Sequence, residues 1–189
     1  MRLHTAVVAV AMFAASTIAL AQETEDLSET IEKFRGIPSV APYFASAYGY
    51  AVWEKIGRGG LGIGGATGKG QVYVGGKVTG TSRVSDITFG AQAGGQAYRQ
   101  VIFFENKASY DKFTTGKFEF DASASAVAVK ASAQASAGTT GTSTTAGNGG
   151  GTGAGAGYTS GMQTFTMAEG GLMYAATIGG QKYNFNALK

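Results

Sequence analysis

Residues 57–70 read GRGGLGIGGATGKG, and more than half of them are glycine. Such a run is either a loop whose backbone N–H groups wrap a phosphate, or sheet in which small residues let neighbours press close. The pattern G-x-G-x-x-G does occur, at Gly60, Gly62 and Gly65. A dinucleotide site also needs a helix opening at the last glycine and an acidic residue about 20 positions on. Asp86 stands near that distance, but the residues after Gly65 are ATGKGQVYVGGKV, a poor helix and a good strand. The phosphate-loop pattern fails too, because Ile63 replaces its first glycine and Gly70 follows Lys69 in place of Ser or Thr. No nucleotide partner is expected. The run reads as a hairpin with Leu61, Ile63, Val72 and Val74 on one face and residues 67–70 as its turn.

The rest of the chain supports sheet. From Tyr48 onward, β-branched and aromatic residues form short runs punctuated by glycine. Strands are expected at 50–56, 60–66, 70–79, 84–104 with a bend at Gly94-Gly95, 117–135, 162–168, 171–178 and 181–186. Gly75-Gly76 is a tight turn or a bulge. Alanine occupies every even position from 122 to 128 with small residues between, so this strand is small on both faces. That composition suits a tight barrel or sandwich interior; silk-like self-stacking is the competing reading. Residues 138–161 carry ten glycines and no charge, and read as a flexible loop within one domain.

Three helices break the pattern. In residues 22–35, Leu27, Ile31 and Phe34 recur at i, i+4 and i+7 on a charged background. Acidic residues crowd its start, Lys33 and Arg35 its end, and Gly36 and Pro38 stop it. Residues 39–48 suit a second short helix, and residues 106–113 a third. The expected architecture is mainly β (α+β): an antiparallel barrel-like or sandwich sheet with one or two N-terminal helices and one short inserted helix.

Residues 1–21 have the layout of a secretory signal: Arg2 and His4, an apolar run at 6–15, and Ala19-Leu20-Ala21 as the cleavage site. The expected domain is 22–189, exported, periplasmic or secreted, and at most peripheral to a membrane. The chain has no cysteine, and its one histidine is His4. Past the signal, a Ser-His-Asp triad, a Cys-His pair and the usual zinc sites are all out of reach. No catalytic residue, metal or cofactor is expected.

With these residues placed, the chain resembles the SYLF domain family. The pieces that carry the resemblance are YGYAVWEKIGRGGLGIGGATGKGQVY, ITFGAQAGGQAYRQVIFFENKASYDKF, GKFEFDASASAVAVKASAQA and FTMAEGGLMYAATIGGQKYNF, over roughly residues 30–187. Two features depart from it: Glu54 stands where relatives often have proline, and 138–161 enlarges a short connection. The resemblance implies a β-rich lipid-binding domain with flanking helices. Eukaryotic members also bind actin, which is not expected as a partner of an exported chain. No nucleic-acid partner is expected either.

Two groups of residues are candidates for lipid. Leu27, Ile31 and Phe34 can lie on a bilayer with Lys33 and Arg35 at the headgroups, or they can dock on the protein's own sheet. Lys55, Arg58 and Lys69 flank the glycine hairpin and suit phosphate headgroups, or are solvated charges. The competing functions are a self-associating envelope protein without a specific ligand, and a hydrolase using a pair from Glu54, Asp86, Glu105, Asp111, Glu119, Asp121 and Glu169.

Overall fold

A computed structural model describes residues 25–61, 63–89, 96–121, 125–129, 157–169, 176–178 and 180–188. Residues 1–21, expected as a secretory signal, and most of 138–161, expected as a loop, lie outside them. The elements run α1 (Ser28–Arg35), α2 (Ala41–Ser46), β1 (Gly49–Leu61), β2 (Ile63–Val74), β3 (Lys77–Phe89), β4 (Gln96–Phe104), α3 (Lys107–Phe113), β5 (Lys117–Glu119), β6 (Ser125–Val129), β7 (Met162–Ala168), β8 (Ala176–Thr177) and β9 (Lys182–Ala187). The strands form one sheet in the order β5-β9-β3-β2-β1-β4-β7-β6-β8. Pairing is antiparallel except between β6 and β7. The fold is mainly β, a curled half-barrel rather than a two-sheet sandwich.

Side-chain contacts reveal the curl. Three strands separate β9 from β4, which on a flat sheet would put them roughly 19 Å apart, four spacings of about 4.8 Å. Yet Gln100 of β4 donates from Nε2 to the Tyr183 hydroxyl of β9 at 2.9 Å. Gln181 donates from Nε2 to the Tyr98 hydroxyl at 2.8 Å. The Tyr183 ring lies 5.1 Å from that of Trp53 on β1. These contacts require the sheet to fold over its own concave face.

Alternation along the strands feeds two cores. Ala51, Trp53, Ile56, Val72, Val84, Tyr98, Ile102, Phe104 and Tyr183 point into the curl, where Phe113 of α3 joins them. Tyr50, Val52, Tyr73, Val101, Phe103 and Phe165 point to the other face, which α1 and its continuation cover with Leu27, Ile31, Phe34, Ile37 and Val40. On β6, Ala126 packs inward against Ile178 and Phe120 while Val127 and Val129 join the outer core. A strand of small residues fits here because both of its faces are covered.

The glycine run is strand throughout its described positions, with no helix behind it. The β1–β2 ladder runs as far as the pair Leu61 and Ile63, so the hairpin does not turn at 67–70. Residues 67–70 lie inside β2, paired on both sides: Gly68 with Ile56 and Val84, Gly70 with Trp53 and Ser82. The reason is steric. A Cβ at Gly70 would sit 2.3 Å from the Val52 carbonyl oxygen and 2.5 Å from Trp53 Cδ1. Gly70 thus leaves the space that the indole occupies, next to a β-bulge between Trp53 and Lys55. The β2–β3 turn is Gly75-Gly76, whose φ values of 57° and 77° meet the left-handed demand of a two-residue hairpin.

Other boundaries moved as well. The strand expected at 117–135 divides into β5 and β6, and that expected at 84–104 into β3, which already begins at Lys77, and β4. α1 begins at Ser28, where the Asp26 carboxylate accepts from the Ser28 N–H at 3.0 Å. α3 is capped by Asn106, whose Oδ1 accepts from the Ser109 N–H at 3.0 Å.

Candidate functional site

The structure separates the two groups of candidates. Leu27, Ile31 and Phe34 are 2%, 8% and 0% exposed, because α1 lays its apolar stripe on the outer face of the sheet. Docked this way, the stripe presents nothing to a bilayer. Its cations are also engaged. Lys33 donates to Glu29, which holds the Glu29 carboxyl below its usual range. Arg35 pairs with Glu32 at 3.0 Å and stands 5.1 Å over the Phe44 ring.

The hairpin cations behave differently. Lys55 on β1 is the cross-strand partner of Lys69 on β2, and Lys69 is in turn the partner of Arg83 on β3. All three are exposed. Their neighbours Ile56, Gly70, Ser82 and Val84 are buried, so alternation turns the three cations outward together. Among the described residues none has a carboxylate partner. The row continues through Asn184 on β9 to exposed Lys117 on β5.

Directly opposed residues have Cβ atoms about 5 Å apart, and like charges there destabilise a sheet. The row therefore carries an electrostatic cost that a bound anion would relieve. Arg58 lies nearer the hairpin tip, its backbone paired with Ala66 and Gln96, and its side chain is outside the described residues. Sequence reasoning found Lys55 and Lys69 but missed Arg83. Symmetry about Gly75-Gly76 alone would set Lys69 opposite Ser82; the irregularity between Val72 and Tyr73 shifts the partner to Arg83.

The carboxylates form no comparable group. Asp111 pairs with Lys107 at 2.7 Å, Glu169 with Arg99 at 2.7 Å, and Glu119 with Lys182 at 3.7 Å. Asp86 is buried inside the curl, and its register neighbour Ala66 is apolar. Glu119 and Asp121 both border a cleft beside β5. Among the described residues no three acidic groups gather as a metal site would require. No helix among them is long and apolar enough to cross a membrane.

A family model described as Ysc84, Las17-binding protein actin regulator, matches residues 85–185, more than half of the chain. The chain belongs to this family, the SYLF family. The match begins in β3 and ends in β9, so it takes in the strands that close the curl. No curated protein matches the chain. SYLF domains are binding domains, and in this one Lys55, Lys69 and Arg83 lie exposed on a sheet face.

Proposed function

We propose that this SYLF protein is an exported, non-enzymatic lipid-binding protein that meets the phosphate headgroups of a membrane surface through Lys55, Lys69 and Arg83. The observation that carries the reading is the row itself: three exposed cations in consecutive register with no carboxylate partner among the described residues. An open row on the outer face of the sheet reads charge density, which suits a surface of many phosphates better than one enclosed headgroup. The signal-like start of the chain favours lipid over actin, although the family's description names an actin regulator. The lack of cysteine, and of histidine beyond His4, supports binding without catalysis.

Each basic residue near an anionic surface contributes about 1 kcal/mol. Losing three costs about 3 kcal/mol, on the order of a hundredfold in affinity. Co-sedimentation with phosphatidylglycerol vesicles at low salt should show binding that weakens as salt rises, and phosphatidylcholine vesicles should show little. The triple variant Lys55→Gln/Lys69→Gln/Arg83→Gln should lose most of the anionic binding. Absence of binding to either vesicle at low salt would end the proposal, and an unaffected triple variant would remove the row from it.

A further inference from the structure

The basic row lies beside the segment that leads into α1, and that segment is acidic. Gln71 is two residues along β2 from Lys69 and shares its outward face, so their Cα atoms are about 7 Å apart. Gln71 is held at both ends of its amide. Its Oε1 accepts from the Tyr73 hydroxyl at 2.8 Å, and its Nε2 donates to the Glu25 carbonyl. The second bond ties the backbone ahead of α1 to the sheet within one pleat of the row. On the other side of Gln71 the face is occupied, because Leu27, Ile31 and Phe34 share a core with Tyr50, Val52 and Tyr73. Among the described residues, the outer face beside Glu25 that α1 leaves uncovered is the part carrying Lys69 and its neighbours.

Residues 22–26 read QETED, three acids and no base. Asp26 is already engaged, since its carboxylate accepts from the Ser28 N–H at 3.0 Å. Glu25 is exposed and has no cation partner among the described residues. Glu23 stands two residues earlier, about 7 Å of extended chain. Two carboxylates are thus tethered within reach of three cations that repel one another. Each exposed pair is weak by itself. The tether at Glu25 offsets that weakness, because a short linker holds its groups at an effective concentration on the order of millimolar.

We propose that Glu23 and Glu25 serve as an internal counter-ion for Lys55, Lys69 and Arg83, which an anionic surface displaces when it binds. The proposal rests on the lipid reading above and adds its regulation. A surface with sparse charge leaves the acidic segment on the row, whereas a dense one outcompetes it. The row then answers to a threshold of charge density and stays covered elsewhere.

The test uses the exported protein in two assays. Zero-length carbodiimide coupling at low salt, read by peptide mass spectrometry of the monomer, should join Glu23 or Glu25 to Lys55 or Lys69. The links should fade with added salt or with phosphatidylglycerol vesicles. In co-sedimentation, Glu23→Gln/Glu25→Gln should bind those vesicles about two- to tenfold more tightly than the unaltered chain, as release of two exposed ion pairs would give. Glu105→Gln/Asp111→Asn makes the same change of net charge at exposed positions beside α3, whose Phe113 packs into the curl on the opposite face. This control should shift affinity by less than about twofold, since its charges lie away from the row. No coupling within the chain, no tightening, or equal tightening by the control overturns the proposal. Coupling without vesicle binding by any variant would uphold the internal pairing and end the lipid reading, so the two fail separately.

Discussion

Replacing Gly70 with alanine tests the packing on which the sheet depends. The new Cβ would meet the Val52 carbonyl oxygen at 2.3 Å and Trp53 Cδ1 and Cγ at 2.5 and 2.7 Å. Ordinary contact lies near 3.5–4 Å, so the indole or the β1 backbone must retreat by roughly 1 Å. Trp53 is 0% exposed and wedged against Phe113 and Tyr183, which leaves it nowhere to go. Overpacking of this kind costs about 1–3 kcal/mol. Against it stands the gain of about 0.4–1 kcal/mol from a stiffer unfolded chain. The net loss is about 1–2 kcal/mol, or roughly 2–8 °C in Tm for a chain of this size. Gly57→Ala is the control, because nothing lies within 4 Å of its added Cβ. It should be neutral or gain up to about 1 kcal/mol. Urea unfolding followed by the fluorescence of Trp53, the sole tryptophan, reads both variants directly. If Gly70→Ala unfolds at the wild-type midpoint with the wild-type slope, the close approach of β2 to the indole is not what the glycine serves.

Two further outcomes follow from burial. Phe34→Ala should cost about 3–5 kcal/mol, as for any fully buried phenylalanine, and should leave anionic-vesicle binding of the folded fraction unchanged. A variant of normal stability that no longer binds vesicles would return α1 to the membrane interface. Burial pushes the Tyr73 hydroxyl up to about 12 and raises that of buried Tyr183 well above its usual value. Between pH 10 and 12 the folded chain thus holds protons that the unfolded chain has released, so stability is whole below pH 10 and falls as pH rises. Thermal melts across that window should show the decline, shallower in Tyr73→Phe; a flat profile would contradict it.

Much of the fold is legible residue by residue. Tyr50 and Val52 alternate with Ala51 and Trp53, and the two pairs do enter opposite cores. The helix expected at 106–113 is α3, Lys107–Phe113. The glycine run read as sheet is sheet, since glycine, threonine and β-branched residues disfavour helix whatever surrounds them. The turn at 67–70 was not legible correctly. With glycine at so many positions from 57 to 70, local propensity allows the chain to reverse at several of them, and only the β1–β2 register shows Thr67 to Gly70 to be paired strand.

The candidate site divides along the same line. Lys55 and Lys69 stand out in the sequence because they flank the glycines, whereas Arg83 becomes their neighbour only through a one-residue irregularity in the β2–β3 ladder. The apolar stripe of Leu27, Ile31 and Phe34 is visible as a period of 3.6, but the same stripe serves a bilayer or a sheet equally well. Its answer came from the outer faces of β1, β4 and β7, which offered Val52, Val101, Phe103 and Phe165 as a surface needing cover.

The amino-acid order by itself settled that this chain builds strands from small and aromatic residues, because alternation and turn chemistry act over a few neighbours. Tertiary structure decided which strands meet, at what register and which faces stay wet. Those depend on pairings between distant segments, where a single extra residue turns a side chain from the core to the solvent.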